Sequence, residues 1–237
     1  MIYAGVFLVS AVGAFIQAVT GFGAAIFMML FFSLWMPITT ATAVNGALCL
    51  VSNITNSWTH RKHIRWRLIP LPAVTFLIVS YFAIRLAKSM DTALLKRVFG
   101  AVLILLSVYF LFIAKKLRVK ATPASSALCG GISGVTGGMF GASGPPMVVY
   151  FLAALDSKEA YLGTMQMFSL VTGLWSLGVR LTTGFYTVKM LPMIALGAVG
   201  AVIGQVIGVR VVHKISPDTL RTAVYIMLAV SGIINML

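Results

Sequence analysis

The chain has 237 residues, of which 60% are hydrophobic and only 9% charged, with a mean hydropathy of +1.02. Soluble domains carry about 25% charged residues, so the composition excludes a soluble domain and leaves a membrane protein. The net charge of +14 would suggest nucleic acid in a soluble chain, but here the bases gather in short connections between apolar runs, where lipid headgroups and the inner-leaflet surface are the expected partners.

Apolar runs bounded by charge and turn residues predict segments near 2–36, 41–59, 68–87, 93–114, 124–154, 160–179, 188–211 and 218–237. Each is long enough, or nearly so, to cross a hydrocarbon core at 1.5 Å per helical residue. The fold class is therefore an all-α polytopic membrane protein of about eight hydrophobic segments. The opening stretch "MIYAGVFLVSAVGAFIQ" lacks the positive region of a signal peptide and reads as a retained first helix. Basic residues cluster at Arg61, Lys62, Arg65 and Arg67, at Arg85, Lys88, Lys96 and Arg97, and at Lys115, Lys116, Arg118 and Lys120.

The first segment is about 35 residues long, and as one continuous helix it would reach about 52 Å, well beyond the bilayer core, so it must tilt, protrude or break. Its glycines, in "AFIQAVTGFGAAIF" (14–27), favour a break. A similar stretch returns as "GGISGVTGGMFGASGPPMVVYF" (130–151), again inside an over-long segment. The halves align with Gly21-Phe22-Gly23 opposite Met139-Phe140-Gly141 and Pro70 opposite Pro192. That predicts two four-segment repeats, 1–114 and 124–237, joined by a basic loop at 115–123. Returning the long segments as hairpins inverts the repeats and gathers the larger share of Lys and Arg on one side, which the positive-inside rule favours.

Irregular backbone at membrane depth survives only where protein, water or ligand satisfies its N–H and C=O groups. Helices starting after Gly21-Phe22-Gly23 and near Ser143-Gly144-Pro145 would direct free N–H groups and the positive dipole end at an anion. Thr20, Thr136 and Ser143 are placed to cap those helices or to donate hydroxyls. Gln17, Asn45 and Gln166 are polar residues inside apolar runs, Asn45 and Gln166 at comparable places in the two halves. Helix packing is the competing reading for the glycines, and interhelical hydrogen bonding for the amides, above all for Asn53 and Asn56. Arg85 and Arg180 lie near segment ends, where snorkelling to the interface is the default and attraction of an anion the alternative.

Asp91, Asp156, Glu159 and Asp218 all fall in connections or at their edges, which disfavours a buried cation site or proton relay. His60, His63 and His213 show no metal-ligand spacing. Cys49 and Cys129 are expected to be free thiols. No catalytic motif stands out, and neither a cofactor nor a metal is implied.

The two glycine motifs, the four-plus-four layout and the basic turn "HRKHIRW" (60–66) resemble the sulfite exporter TauE/SafE family of membrane transporters. The resemblance implies an inner-membrane exporter of a small sulfur-containing anion such as sulfite, thiosulfate or an organosulfonate. It places Thr20, Gly21 and Gly23 on one side of the substrate and Gly138, Gly141, Ser143 and Gly144 on the other. The first motif departs from the second in lacking the two prolines. The expected partners are thus a small anion and membrane lipids, with nucleic acid excluded and self-association left open. An anion channel and a non-transporting scaffold subunit are the rival readings.

Overall fold

The computed structural model describes residues 2–108 and 120–211, and within them the chain is helical. The helices are α1 (Ile2–Thr20), α2 (Ala24–Trp35), α3 (Ile38–Thr59), α4 (Pro70–Ser89), α5 (Thr92–Val108), α6 (Pro123–Phe140), α7 (Gly144–Ala154), α8 (Lys158–Thr182) and α9 (Leu191–Val211). Seven of the eight expected segments are thereby accounted for. The segment at 218–237, His213, Asp218 and most of the basic loop lie outside the described residues.

Among the described residues, five helical stretches are long and apolar enough to cross a membrane: Ile2–Thr20, Ile38–Thr59, Trp66–Ser89, Lys158–Thr182 and Val188–Val211. The protein is a multi-pass, all-helical membrane protein. Both over-long segments break where their glycines fall, into a longer piece and a short apolar one, Ala24–Trp35 or Gly144–Ala154. In the first, α2 folds back along α1. The Trp35 ring sits where Gly5 has no side chain, and Met28 packs against Gly13.

Two further pairings organise the bundle. Gly200, Gly204 and Gly208 of α9 lie against Phe7, Ala11 and Phe15 of α1, so the two helices run parallel. Gly130, Gly134 and Gly138 of α6 lie against Pro72, Phe76 and Ser80 of α4, again parallel. Glycine every fourth residue removes side chains from one face, and backbones can then approach closely enough for van der Waals contact to hold the helices in lipid. By contrast α3 and α8 run antiparallel, Gly46 lying near Arg180, Leu50 near Gly173 and the His60 carbonyl near Gly163.

The helix ends also refine the alignment of the halves. α1 and α6 end at Thr20 and Phe140, α2 and α7 begin at Ala24 and Gly144, and α3 and α8 begin at Ile38 and Lys158, each pair 120 residues apart. Gly21 therefore stands opposite Gly141, both with positive φ, 82° and 72°. The spacing of 120 differs by two residues from the 118 that matching letters suggest, and it pairs two glycines that follow a helix end with the same left-handed backbone conformation.

A Cβ at Gly204 would collide with the Ala11 carbonyl oxygen, and one at Gly208 would lie 2.6 Å from Ala18 Cβ, whereas Gly178 has open space around it. Gly204→Ala should destabilise by about 1–3 kcal/mol through overpacking, while Gly178→Ala should be neutral or stabilise by up to about 1 kcal/mol. Thermal unfolding in detergent checks both; equal melting temperatures for the two variants would rule out the close α1–α9 contact.

Candidate functional site

The second break is built by its glycines and prolines. Gly141 ends α6 with φ 72°, its N–H donating to the Gly137 carbonyl at 2.9 Å, and Ala142 N–H reaches the Thr136 carbonyl at 3.3 Å. α7 then starts at Gly144 with two prolines in its first turn. Proline has no N–H and fits the start of a helix, so Ser143 and Gly144 supply the amides nearest this end. Ser143 makes no side-chain cap bond; of the two roles open to its hydroxyl, capping is not the one taken here.

Beside this break lies a cavity of about 50 Å³, several times the ~10–15 Å³ that one water needs. Gly137, Gly141 and Ser143 form one wall, and Gly46, Cys49 and Asn53 of α3 another. The third comes from α8, where Ser169, Thr172, Gly173, Ser176 and Arg180 recur at helical spacing on one face. Tyr186 closes one end, its hydroxyl donating to the Ala43 carbonyl at 2.9 Å.

Arg180 dominates the electrostatics. It is 1% exposed, so the snorkelling expected from the sequence does not occur; α8 continues past the predicted segment end and turns the side chain inward. Nη1 donates to the Thr42 carbonyl at 2.6 Å, and Nη2 to the carbonyls of Gly138 at 2.8 Å and Gly137 at 3.2 Å. Nε is buried with no partner among the described residues. Among those residues no carboxylate offsets the charge, since Asp91, Asp156 and Glu159 are all exposed. Arg85, in contrast, is exposed and stacks on Tyr81, as an interfacial arginine should. A buried guanidinium held by carbonyl dipoles alone leaves positive potential for an anion.

The first break is arranged differently. Gly21 and Gly23 have φ of 82° and 99°. The Thr20 hydroxyl bonds the Phe22 carbonyl at 2.6 Å and the Ile16 carbonyl at 2.9 Å. Gln166 Nε2 donates to the Gly21 carbonyl at 2.7 Å, and Gln17 Nε2 donates to Gln166 Oε1 at 2.9 Å and to Asn53 Oδ1 at 2.6 Å. Gln17, Thr20, Gly21 and Gln166 thus form one buried polar cluster that mends the broken backbone. Gly23 starts α2 with no side-chain cap.

The breaks meet where Gly144 passes Phe22, a Cβ there lying 3.3 Å from Phe22 Cβ. Of the residues expected to bind substrate, Gly141 and Ser143 line the cavity. Asn45 is close by, its buried Nδ2 unpartnered and 3.1 Å from where a Gly141 Cβ would stand. Gly138 packs against Ser80 and Ala83 and offers only its carbonyl, to Arg180. The Thr136 hydroxyl turns back to Ile132 and Ser133 carbonyls on its own helix.

Arg180, Cys49, Asn53 and Tyr186 were not expected as site residues. The polar stripe Ser169, Thr172, Ser176, Arg180 was a readable signal, obscured by ending the segment at 179. Both cysteines are free and partly buried. On the basic connection, 3₁₀ turns occupy Arg61–His63 and Trp66–Leu68. Burial holds the His60 imidazole below its usual pKa, with His63 adding to the effect, and Arg61, Lys62, Arg65 and Arg67 supply permanent positive charge on this connection.

The profile of the sulfite exporter TauE/SafE family matches residues 6–234. The chain belongs to this family of membrane transporters. It is 28% identical over 192 residues to a protein of Methanocaldococcus jannaschii described as a probable membrane transporter, covering 74% of this chain and 70% of that one. It is also 28% identical over 144 residues to a probable sulfite/organosulfonate exporter TauE of Cupriavidus necator, covering 59% of this chain and 56% of that relative. No solved structure matches the chain to significance. For this TauE/SafE member the geometry makes Arg180 a strut as well as a charge. Arg180→Lys keeps the charge but cannot spread over three carbonyls in a planar fork. A loss of about 1–3 kcal/mol is expected, read as a lower melting temperature in detergent; an unchanged one would remove the strut.

Proposed function

We propose that this protein exports a small sulfur-containing anion, such as sulfite, thiosulfate or an organosulfonate, from the cell across the inner membrane by alternating access. The observation that carries this reading is the buried Arg180, its Nε unpaired, beside a small hydroxyl-lined cavity at the second helix break. The anion would sit against Arg180, with the Ser143 hydroxyl and the amides at the start of α7 as further donors, so that several fixed N–H and O–H groups replace its hydration shell. The description of the Cupriavidus necator relative as a probable sulfite/organosulfonate exporter supports the substrate class.

The same proposal takes residues 1–114 and 124–237 as inverted repeats joined by 115–123, a reading supported by the antiparallel course of α3 and α8 and by the hairpin of α1 and α2. Such repeats rock against each other around a shared site. The basic connection at 61–67 would concentrate anions at the cytoplasmic mouth, an attraction weakened by salt.

The test is flux into proteoliposomes of sulfite, thiosulfate, ethanesulfonate, acetate and chloride. Saturable movement of a sulfur anion is expected, reduced roughly tenfold by Ser143→Ala, as for loss of one hydrogen bond of about 1.4 kcal/mol, and abolished by Arg180→Gln. Non-saturating flux at channel-like rates, or full activity in Ser143→Ala and Arg180→Gln, would overturn the proposal.

A further inference from the structure

Asn53 belongs to both structures described above. Its Oδ1 accepts from Gln17 in the polar cluster of the first break, while the residue itself lines the cavity of the second. Nδ2 has no hydrogen-bond partner among the described residues, and it lies 3.9 Å from where a Cβ on Gly173, another cavity residue, would stand. With its oxygen engaged, the amide still has both nitrogen hydrogens to donate.

Position along the α3–α8 pair adds the second half. Gly46 and Arg180 mark one level, Asn53 and Gly173 the next, and His60 and Gly163 the last, next to the basic connection at 61–67. The Gln17–Asn53–Gln166 cluster therefore stands between the cavity and that basic face. It bridges α1, α3 and α8, and it is tied through Gln166 to the Gly21 carbonyl at the glycine-flanked break. Amide-to-amide bonds are suited to a barrier that opens, since each contributes only about 0.5–1.5 kcal/mol net and the released groups remain polar enough to line a wet path.

We propose that Asn53 contacts the transported anion through Nδ2 and, through Oδ1, holds closed the amide cluster that separates the cavity from the face of the 61–67 connection. This rests on the anion-site reading above. Anion and barrier then share one side chain: an anion that draws Asn53 toward Arg180 weakens its bond to Gln17, so occupancy favours opening on the side of the basic connection.

Cys49 lines the same cavity and serves as the reporter in a Cys129→Ala background. The experiment follows the rate at which a membrane-impermeant anionic methanethiosulfonate modifies Cys49 in full-length protein in liposomes, applied from either side, with and without ethanesulfonate, an anion inert toward the reagent. In the parent, ethanesulfonate should slow the reaction. Asn53→Asp keeps the acceptor for Gln17 but replaces the donor with a carboxylate; its protecting ethanesulfonate concentration should rise at least tenfold while the basal rate from the basic face stays low. Gln17→Leu should raise that basal rate at least fivefold and keep ethanesulfonate protection. Asn53→Leu, of the same branched shape and apolar, should show both effects, and it stands in if the aspartate variant fails to fold.

Protection of the parent and of both Asn53 variants at the same ethanesulfonate concentration would overturn the anion contact. A basal rate unchanged in Gln17→Leu would overturn the barrier. Failure of ethanesulfonate to protect the parent would sink the anion-site reading itself, and this proposal with it.

Discussion

In a bilayer every backbone N–H and C=O needs a partner, and interrupting a helix at membrane depth leaves several of them without one. This protein interrupts two helices, and much of its buried polar chemistry can be traced to the repair. At the first break the Gly21 carbonyl is taken by Gln166 and the Phe22 carbonyl by Thr20. At the second, the carbonyls of Gly137 and Gly138 in the last turn of α6 are taken by Arg180. Gln166 and Arg180 both come from α8, so one long helix pins both two-helix turns, with Thr20 of α1 completing the first.

The two repairs have opposite electrostatic results. The amides of Gln17, Asn53 and Gln166 are neutral and bonded to one another, which mends the first break without adding charge. Arg180 on carbonyls is only partly compensated, since a helix C-terminus offers about half a negative charge and the guanidinium carries a full positive one. A carboxylate partner would have neutralised it and ended any attraction for an anion. Among the described residues Asp91, Asp156 and Glu159 are exposed, so none of them neutralises the guanidinium, and the two breaks differ in charge as well as in partners.

Glycine serves two unrelated purposes in the same short stretches. Gly21, Gly23 and Gly141 adopt positive φ, which other residues avoid, and so let the chain turn. Gly130, Gly134 and Gly138, like Gly200, Gly204 and Gly208, are helical and exist to bring backbones together. The motif "GGISGVTGGMFG" interleaves both sets: successive residues of one helix face α4 or face the cavity. Packing therefore accounts for Gly130, Gly134 and Gly138, while Gly137 and Gly141 line the cavity.

Composition and pattern alone determined the fold class, the approximate extent of the helices and the positions of both breaks, because hydrophobic length and glycine content act locally and the bilayer imposes one spacing on every segment. They also pointed to Gly141 and Ser143, whose place beside a broken helix follows from the motif itself. Tertiary structure decided what faces what. Gln17, Asn53 and Gln166 stand far apart in the chain, and only the packing of α1, α3 and α8 makes them one cluster. Arg180 looked interfacial because a long cation near a segment end ordinarily finds water; its burial depends on carbonyls of Thr42, Gly137 and Gly138 arriving from two other helices. Separations of that length are set by how helices stack, which local periodicity does not encode.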